Sequence, residues 1–489
     1  MDIKLNKNLK TPYYWQIADQ IKRKIITGQL ADGSVLPSER KLSSILGVHR
    51  NTIIRAYDTL KDADLIESRQ GVGYLVSYGS SETEDLSENP RHKVNWSHAI
   101  KDEYLDMKET YDDIFVKFTE GNKISMSTGM PPAIYEEDKL GEDLASILNE
   151  SAALPAYLAP YQGDTNLRQQ LLAFLRTKGI KAGLSQLQVL SETNQAMDFL
   201  ITALVSPGDC VIIEEPVSPD VYRAIQLAGC RYFTLPVDKD GMNCDNIEAL
   251  IEKHEPKFIY VNSSYQDPTG VIMSMERRKH LLAISEKYRI PIIEEDAASE
   301  LNYEDGAIPS IKSMDRNDNV IYIYSFSLTF IPGLSLALVV ANERLIRSLS
   351  YLVSIRIMSI NWMTQKLLGK YLADGRYYEK VEKIRKGNRQ KRDVLCSYLD
   401  RATSIGVRYR KPRGGVYVWC QLPEGLNGMD VAEEATKAGI TVVPGEVFYP
   451  MHNGGFDHLR LNYSYESTYW LSEGANRLVE LLRTMYNGL

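Results

Sequence analysis

The chain reads as a multidomain protein: a winged helix-turn-helix at the N-terminus, then an α/β body on a mostly parallel sheet, closed by a smaller α+β part. Three observations predict this. Two helical stretches separated by a glycine break precede two short β runs within the first 77 residues. From about Ile124, apolar strand-like runs alternate with helical stretches. Beyond about residue 375 the alternation gives way to a mixed pattern that includes Gly414-Gly415-Val416-Tyr417-Val418-Trp419 and Ile440-Thr441-Val442-Val443.

In the first region, Trp15, Ile17, Ile21 and Ile25 lie at helical spacing, and Gly28 with Ala31-Asp32-Gly33 ends that segment. Pro37-Ser38-Glu39-Arg40 starts a short helix with Ser38 as its N-cap. Gly47 breaks it, and His49-Arg50-Asn51-Thr52 opens a third helix reaching about Ala63, the helix-turn-helix pattern. Leu65–Arg69 and Tyr74–Val76, around a Gly-containing turn, make a wing hairpin.

Residues 78–123 begin as a polar, acidic linker and regain apolar residues such as Trp96, Tyr104 and Phe115, as expected of helix packed on a domain. In the body the strand candidates are Cys210–Ile213, Phe258–Val261, Ile290–Ile293, Val320–Tyr324 and Ala337–Val340. Apolar runs separated by helices imply a parallel sheet covered on both faces. The domains are therefore 10–77, the linker 78–123 and the body 124–489, with its small part from about 375.

Composition sets the class. At 489 residues, 44% hydrophobic and 25% charged, the chain has room for several full cores and the balance of a globular protein. No run of about 18 apolar residues is present and the first residues lack an apolar leader, so a cytoplasmic location with no membrane partner is expected. The five cysteines lack Cys-x-x-Cys spacing and read as structural thiols; the seven histidines lack ligand spacing, so no metal site is expected. Residues 1–77 carry twelve Lys and Arg against eight Asp and Glu, a balance of +4 that leaves −11 on the rest. A basic head on an acidic body suits a nucleic-acid-binding module joined to something that does not bind nucleic acid.

Several motifs of the head, Leu36-Pro37-Ser38-Glu39-Arg40, Leu46–Thr52, the Ala56-Tyr57-Leu60 face and Glu67–Gly73, resemble the winged helix-turn-helix of the GntR family. The resemblance implies a double-stranded DNA operator as partner. A recognition helix presents its N-terminal residues to the major groove, which assigns Arg50, Asn51 and Thr52 to bases and phosphates. Arg40 and Arg69 are placed to touch phosphates, and Gly71 and Gly73 to let the wing approach closely. His49, where a small polar residue is usual, reads as an outward-pointing side chain.

The body carries Tyr161-Gln162-Gly163-Asp164, Asn194-Gln195, Glu214-Glu215-Pro216, Tyr265–Gly270, Glu294-Glu295-Asp296, Ser325–Gly333 and Arg460-Leu461-Asn462-Tyr463. In that order they resemble fold-type I aminotransferases, whose cofactor is pyridoxal phosphate (PLP). A GntR head on such a body is similar to the MocR-type regulators, which implies a homodimer and a body that senses a small effector.

The resemblance breaks at the cofactor's own contacts. Leu328 stands where the Schiff-base lysine is expected, and a leucine can neither bind the cofactor covalently nor shuttle a proton. Glu295 replaces the aspartate that pairs with the pyridine nitrogen, Ala297 the expected tyrosine and Asp267 the usual Asn or Tyr. Glu192 enters the phosphate loop and Ser335 replaces its arginine. A missing nucleophile, a lost cation and added carboxylates all disfavour a doubly charged phosphate. The expectation is an aminotransferase-like pseudoenzyme without catalytic residues or covalent PLP. Arg460 aligns with the arginine that clamps a substrate carboxylate, and an Arg held in a structural ion pair is the other reading. Arg460, Tyr265, Asp267, Glu295, Glu192 and Leu328 then form the candidate effector pocket, for a small amino acid or carboxylate. The alternative function is a regulator or enzyme that holds PLP non-covalently, and a constitutive DNA-binding scaffold is a third.

Overall fold

The computed structural model describes residues 3, 5, 12–26, 29–62, 65–69, 72–77, 100, 123–127, 139–149, 160–304, 306, 309–451 and 453–488. They fall in two compact units, Met1–Asp112 and Asp113–Leu489. The expected linker and its packed helix, apart from residues 100 and 123, lie outside the described residues, as does Gly71.

The head consists of α1 (Tyr13–Ile26), α2 (Glu39–Leu46) and α3 (Arg50–Asp62), followed by β1 (Ile66–Arg69) and β2 (Gly73–Val76). The strands pair antiparallel, Ile66 opposite Val76 and Arg69 opposite Gly73. The Ser38 hydroxyl accepts the Lys41 N–H at 3.3 Å and so caps α2. Gly47 ends that helix in the left-handed region at φ +63°. Ile17, Ile21 and Ile25 bury one stripe of α1 against Leu42, Ile53, Tyr57 and Leu60, each such side chain contributing roughly 1.5–3 kcal/mol. Trp15 does not join them and stays 51% exposed. Two residues from Ile17 it lies about 200° round the helix, on the far face.

The body is built on an eight-stranded sheet. The strands in chain order are β3 (Ile124–Ser125), β4 (Leu187–Leu190), β5 (Cys210–Glu215), β6 (Arg231–Asp238), β7 (Gly241–Met242), β8 (Ile259–Asn262), β9 (Ile292–Asp296), β10 (Val320–Ser325), β11 (Ala337–Val340), β12 (Arg408–Tyr409), β13 (Tyr417–Gln421), β14 (Ile440–Thr441), β15 (Val443–Pro444) and β16 (His458–Asn462). The large sheet runs β4-β11-β10-β9-β8-β5-β6-β7. Strands β6, β5, β8, β9 and β10 are parallel neighbours, while β11 is antiparallel to both β10 and β4. Alternation along the strands fills two cores: Val211, Ile213, Tyr260 and Ile293 face one, Ile212, Ile259, Val261 and Ile292 the other.

Two expectations need correction. The strand expected at Ile290 begins at Ile292, because Arg289 caps the preceding helix at φ +55° and Pro291 has no N–H to give a ladder. The smaller part is not one continuous segment from residue 375. Its four-stranded sheet, β12-β13-β16-β15, shares a core with Ile124, Met126, Leu301 and Tyr303, and β3 pairs parallel with β14. Cys210, Cys230, Cys244, Cys396 and Cys420 are each buried and free. Among the described residues no helix is long and apolar enough to cross a membrane.

Candidate nucleic-acid interface and the cavity of the body

In the head, Glu39 ties three elements together. Its Oε2 accepts the Arg50 Nε and Nη2 groups at 2.9 and 2.7 Å, and its Oε1 accepts the Tyr74 hydroxyl at 3.2 Å. Arg50 is therefore held at the start of α3 by an ion pair, with 63% of its side chain still open to solvent. Arg40 and Asn51 are exposed and Thr52 is half-buried. His49 does more than point outward: its Nδ1 accepts the Asn51 N–H at 3.3 Å, satisfying one of the orphan donors of the first turn. In the wing, Arg69 lies beside Glu67 at 2.8 Å, and Gly73 takes φ +110° with open space around it. The described cations and the α3 N-terminus thus form an exposed set with the character of a phosphate- and base-contacting surface.

One of the body's cavities, about 180 Å³, lies at the carboxyl ends of β5, β8, β9 and β10, where chain order along the sheet reverses beside β5 and ligands of open α/β sheets bind. Asn262 and Glu295 are paired across β8 and β9, so their side chains emerge together. Tyr260, two residues earlier on β8, donates its hydroxyl to Glu295 Oε2 at 2.6 Å. Burial pushes Glu295 up to about 7, against the pull of that hydroxyl, with Asp267, Asp220 and Asp296 adding to the rise. Desolvation also raises Asp220, which lines the cavity; an Asn194 hydrogen bond opposes the rise and Asp267 adds to it.

The loop after β8 is fixed from below. Arg278 and Glu294 form a fully buried pair at 3.5 Å, and Arg278 also bonds Ser263 and Ser264 while Glu294 accepts the Ser263 hydroxyl and the Ile311 and Lys312 N–H groups. Gln266 bonds Pro216 and Thr269. Tyr265 sits in the left-handed region at φ +57° and its ring covers Gly414, where a Cβ would collide with it. These anchors hold Tyr265 and Asp267 at the cavity.

Of the expected pocket residues, Tyr265, Asp267, Glu295 and Leu328 line the cavity, together with Ala297 and Ala298. Leu328 also packs on the core of the smaller part. Glu192 does not line it; it is the exposed residue preceding the helix Thr193–Leu204, and Thr193 and Asn194 of the first turn take the lining positions. Arg460 is likewise not a lining residue. It donates Nη1 to both Asp267 oxygens at 2.9 and 3.1 Å and Nη2 to Ser127 O at 3.3 Å. Its guanidinium lies 4.2 Å from the Tyr417 ring centre and 4.8 Å from that of Phe448. The pocket's expected carboxylate clamp is thus engaged by a carboxylate of the protein itself. No described lining residue is Lys, Arg or His, and Ser335 lies outside the lining with its hydroxyl buried and unbonded. The parts PLP requires, an amine for the Schiff base and a cation for the phosphate, are not supplied by the described lining. Tyr260, Asn262, Asp220 and Asn194 were missed in the sequence; strand register reveals the first two.

Residues 13–76 match the model of the bacterial regulatory proteins of the gntR family, and residues 127–473 match that of aminotransferase class I and II. The HTH-type transcriptional regulator YdfD of Bacillus subtilis (strain 168) is 27% identical over 480 residues, 98% of each chain. Aromatic-amino-acid aminotransferase 1 of Thermococcus litoralis is 28% identical over 398 residues, 80% of this chain and 95% of that one. The crystal structure of the multiple substrate aminotransferase from Thermococcus profundus superposes with a TM-score of 0.75 at 27% identity, covering 81% of this chain and all of that one. The chain therefore belongs to the aminotransferase class I and II family, its fold carrying a GntR-type helix-turn-helix domain at the N-terminus in the manner of a MocR-type transcription regulator.

Proposed function

We propose that the chain is a DNA-binding transcription regulator whose aminotransferase-fold body no longer transaminates and instead receives a small effector. The observation that carries this reading is the union of a winged head with a cavity whose described lining has leucine, not lysine, at position 328. Exposed Tyr351, Ile355 and Met358 offer the body an apolar face for a second copy, and a dimer presents two heads to two half-sites. Effector control then requires different affinities for two arrangements of the heads, since equal binding shifts nothing.

The rival reading, PLP held non-covalently, has one feature in its favour. The helix Thr193–Leu204 opens on the cavity with Thr193 and Asn194, and a helix N-terminus suits a phosphate. Equilibrium dialysis of purified protein against PLP separates the two, since the rival expects PLP to be retained stoichiometrically and the proposal does not. The proposal expects no yellow Schiff-base absorption, no label after borohydride and no transamination, in wild type and in Leu328→Lys alike. Transamination by either protein overturns it.

A further inference from the structure

We propose that Arg55, held over the ring of Tyr14, reads a guanine in the operator, close to an adenine read by Asn51. This rests on the DNA-binding role proposed above and gives that role its base contacts.

Charge on α3 is the first consideration. Arg50 gives Nε and Nη2 to Glu39 Oε2 at 2.9 and 2.7 Å, and Glu39 also accepts the Tyr74 hydroxyl. One donor edge of Arg50 is thus engaged and its charge balanced, which makes it the tie between α3, α2 and the wing. Arg55 is different. It is exposed, and among the described residues no carboxylate pairs with it and no group accepts from its side-chain donors. It follows Asn51 by four residues, about 40° round the helix and about 6 Å along it, so the two share a face.

A second observation comes from α1. The Arg55 guanidinium lies 4.6 Å from the centre of the Tyr14 ring. An arginine over an aromatic face keeps its edge N–H groups for another partner while its long chain loses freedom. Tyr14 is itself well supported, because Ile17 and Ile21 of the same helix pack with Ile53 and Tyr57 of α3 in one core. Two parallel bonds to guanine O6 and N7 require a guanidinium held in one plane, and the ring supplies that order. A phosphate contact makes no such demand, since a mobile point charge serves it.

Shape brings these residues together. The first turns of α1 and α3 border a hollow of about 600 Å³, lined by Pro12, Tyr13, Tyr14, Asn51, Thr52 and Arg55. No described lining residue is acidic, so a polyanion meets no fixed like charge there. Asn51 is exposed, and its side-chain amide makes no hydrogen bond among the described residues. An amide donor and acceptor match adenine N6 and N7 as a guanidinium matches guanine. Base pairs stack about 3.4 Å apart, so side chains about 6 Å apart on one face reach pairs within about two steps of each other.

The test uses the full chain. An operator is selected from a random double-stranded pool, and fluorescence anisotropy then measures it and its single-base-pair variants. Wild type is expected to prefer guanine at one position by at least about fivefold, with an adenine preference within about two base pairs. Arg55→Ala abolishes the guanine preference and keeps the adenine one; Arg55→Met, which retains the aliphatic stem on Tyr14, does the same. Asn51→Ala abolishes the adenine preference instead. Tyr14→Phe keeps the guanine preference and Tyr14→Leu weakens it. Arg55→Ala that loses affinity equally on every sequence, with the salt slope reduced by about one, makes Arg55 a phosphate contact and overturns the assignment. Unchanged base preferences in Arg55→Ala overturn it as well, and full guanine preference in Tyr14→Leu overturns the part given to the ring. A wild-type protein that enriches no sequence removes the regulator reading too, whereas an enriched operator read identically by Arg55→Ala removes Arg55 alone.

Discussion

Replacing Asp267 by asparagine should both destabilise the body and change what its cavity accepts. The Arg460 side chain is 6% exposed and that of Asp267 23%, with Nη1 2.9 Å from Oδ1. At that distance and an effective dielectric of about 20, the attraction is about 6 kcal/mol before the cost of desolvation. Removing one partner of a buried pair typically costs about 3–5 kcal/mol. Asparagine keeps a carbonyl for one of the two hydrogen bonds, and water reaches the Asp267 side, so about 2 kcal/mol is expected. For a unit spanning Asp113–Leu489, about 2.1 cal/mol/K of unfolding entropy per residue turns this into a fall of about 2–3 °C in Tm. The double variant Asp267→Asn with Arg460→Met should recover part of the loss, because no buried charge is left alone. Calorimetry of the body's transition reads all three proteins. The freed guanidinium should also let butyrate stabilise Asp267→Asn, where it does nothing for wild type. An Asp267→Asn protein within about 0.5 kcal/mol of wild type, with no gain of carboxylate response, would refute the claim that this pair neutralises the clamp.

Three other outcomes can be checked independently. Burial pushes the Glu214 carboxyl up to about 8 against the Asn262 N–H and Gln266, so the folded state holds a proton that the unfolded chain releases near pH 4.5. Its contribution is complete below that pH and is lost as pH rises through about 8, at about 1.4 kcal/mol per unit; urea titrations should show this slope removed in Glu214→Gln, and an identical slope would sink the assignment. Arg50→Ala should weaken operator binding by about 1–3 kcal/mol in fluorescence anisotropy, and unchanged affinity would move the reading surface off the start of α3. Gly73→Ala meets no side chain but forces alanine to φ +110°, so a loss of about 1–2 kcal/mol in head stability is expected, with weaker DNA binding; a variant as stable as wild type would show that the wing turn tolerates another conformation.

What the sequence makes legible follows from the range of the physics involved. Ser38, Gly47 and the Ile17-Ile21-Ile25 stripe act within a turn or two of helix, and the structure places each as expected. Apolar runs such as Cys210–Ile213 and Val320–Tyr324 are strands because two cores bury both their faces. The short β4 and the long, half-exposed β6 escaped notice, since neither is a continuous apolar run bounded by turns. Trp15 misled because apolar character was read without its helical angle. The site's residue types were visible at positions 267, 295 and 328, but their partners were not. Arg460 meets Asp267 across 193 residues of chain, and Tyr260 meets Glu295 across 35. Such pairs are fixed by sheet register and by the seating of the smaller part.

The same distinction explains how a cavity's walls can be independent of the side chains that line it. Its walls are the ends of β5, β8, β9 and β10, held by cores and by the buried Arg278–Glu294 pair, none of which needs a ligand to form. Chemistry depends on a few side chains added to those ends, and each can change without disturbing the strand beneath it. On the proposed reading Leu328 removes the amine, and the arginine that would clamp a substrate carboxylate loses that partner. Asp267 then satisfies Arg460 from within, and Glu295 is tolerated because Tyr260 bonds it and burial raises it toward neutrality. On the proposed reading the altered residues compensate one another as a set, so Leu328→Lys alone is expected to show no transamination with PLP, and transamination by that variant would refute this.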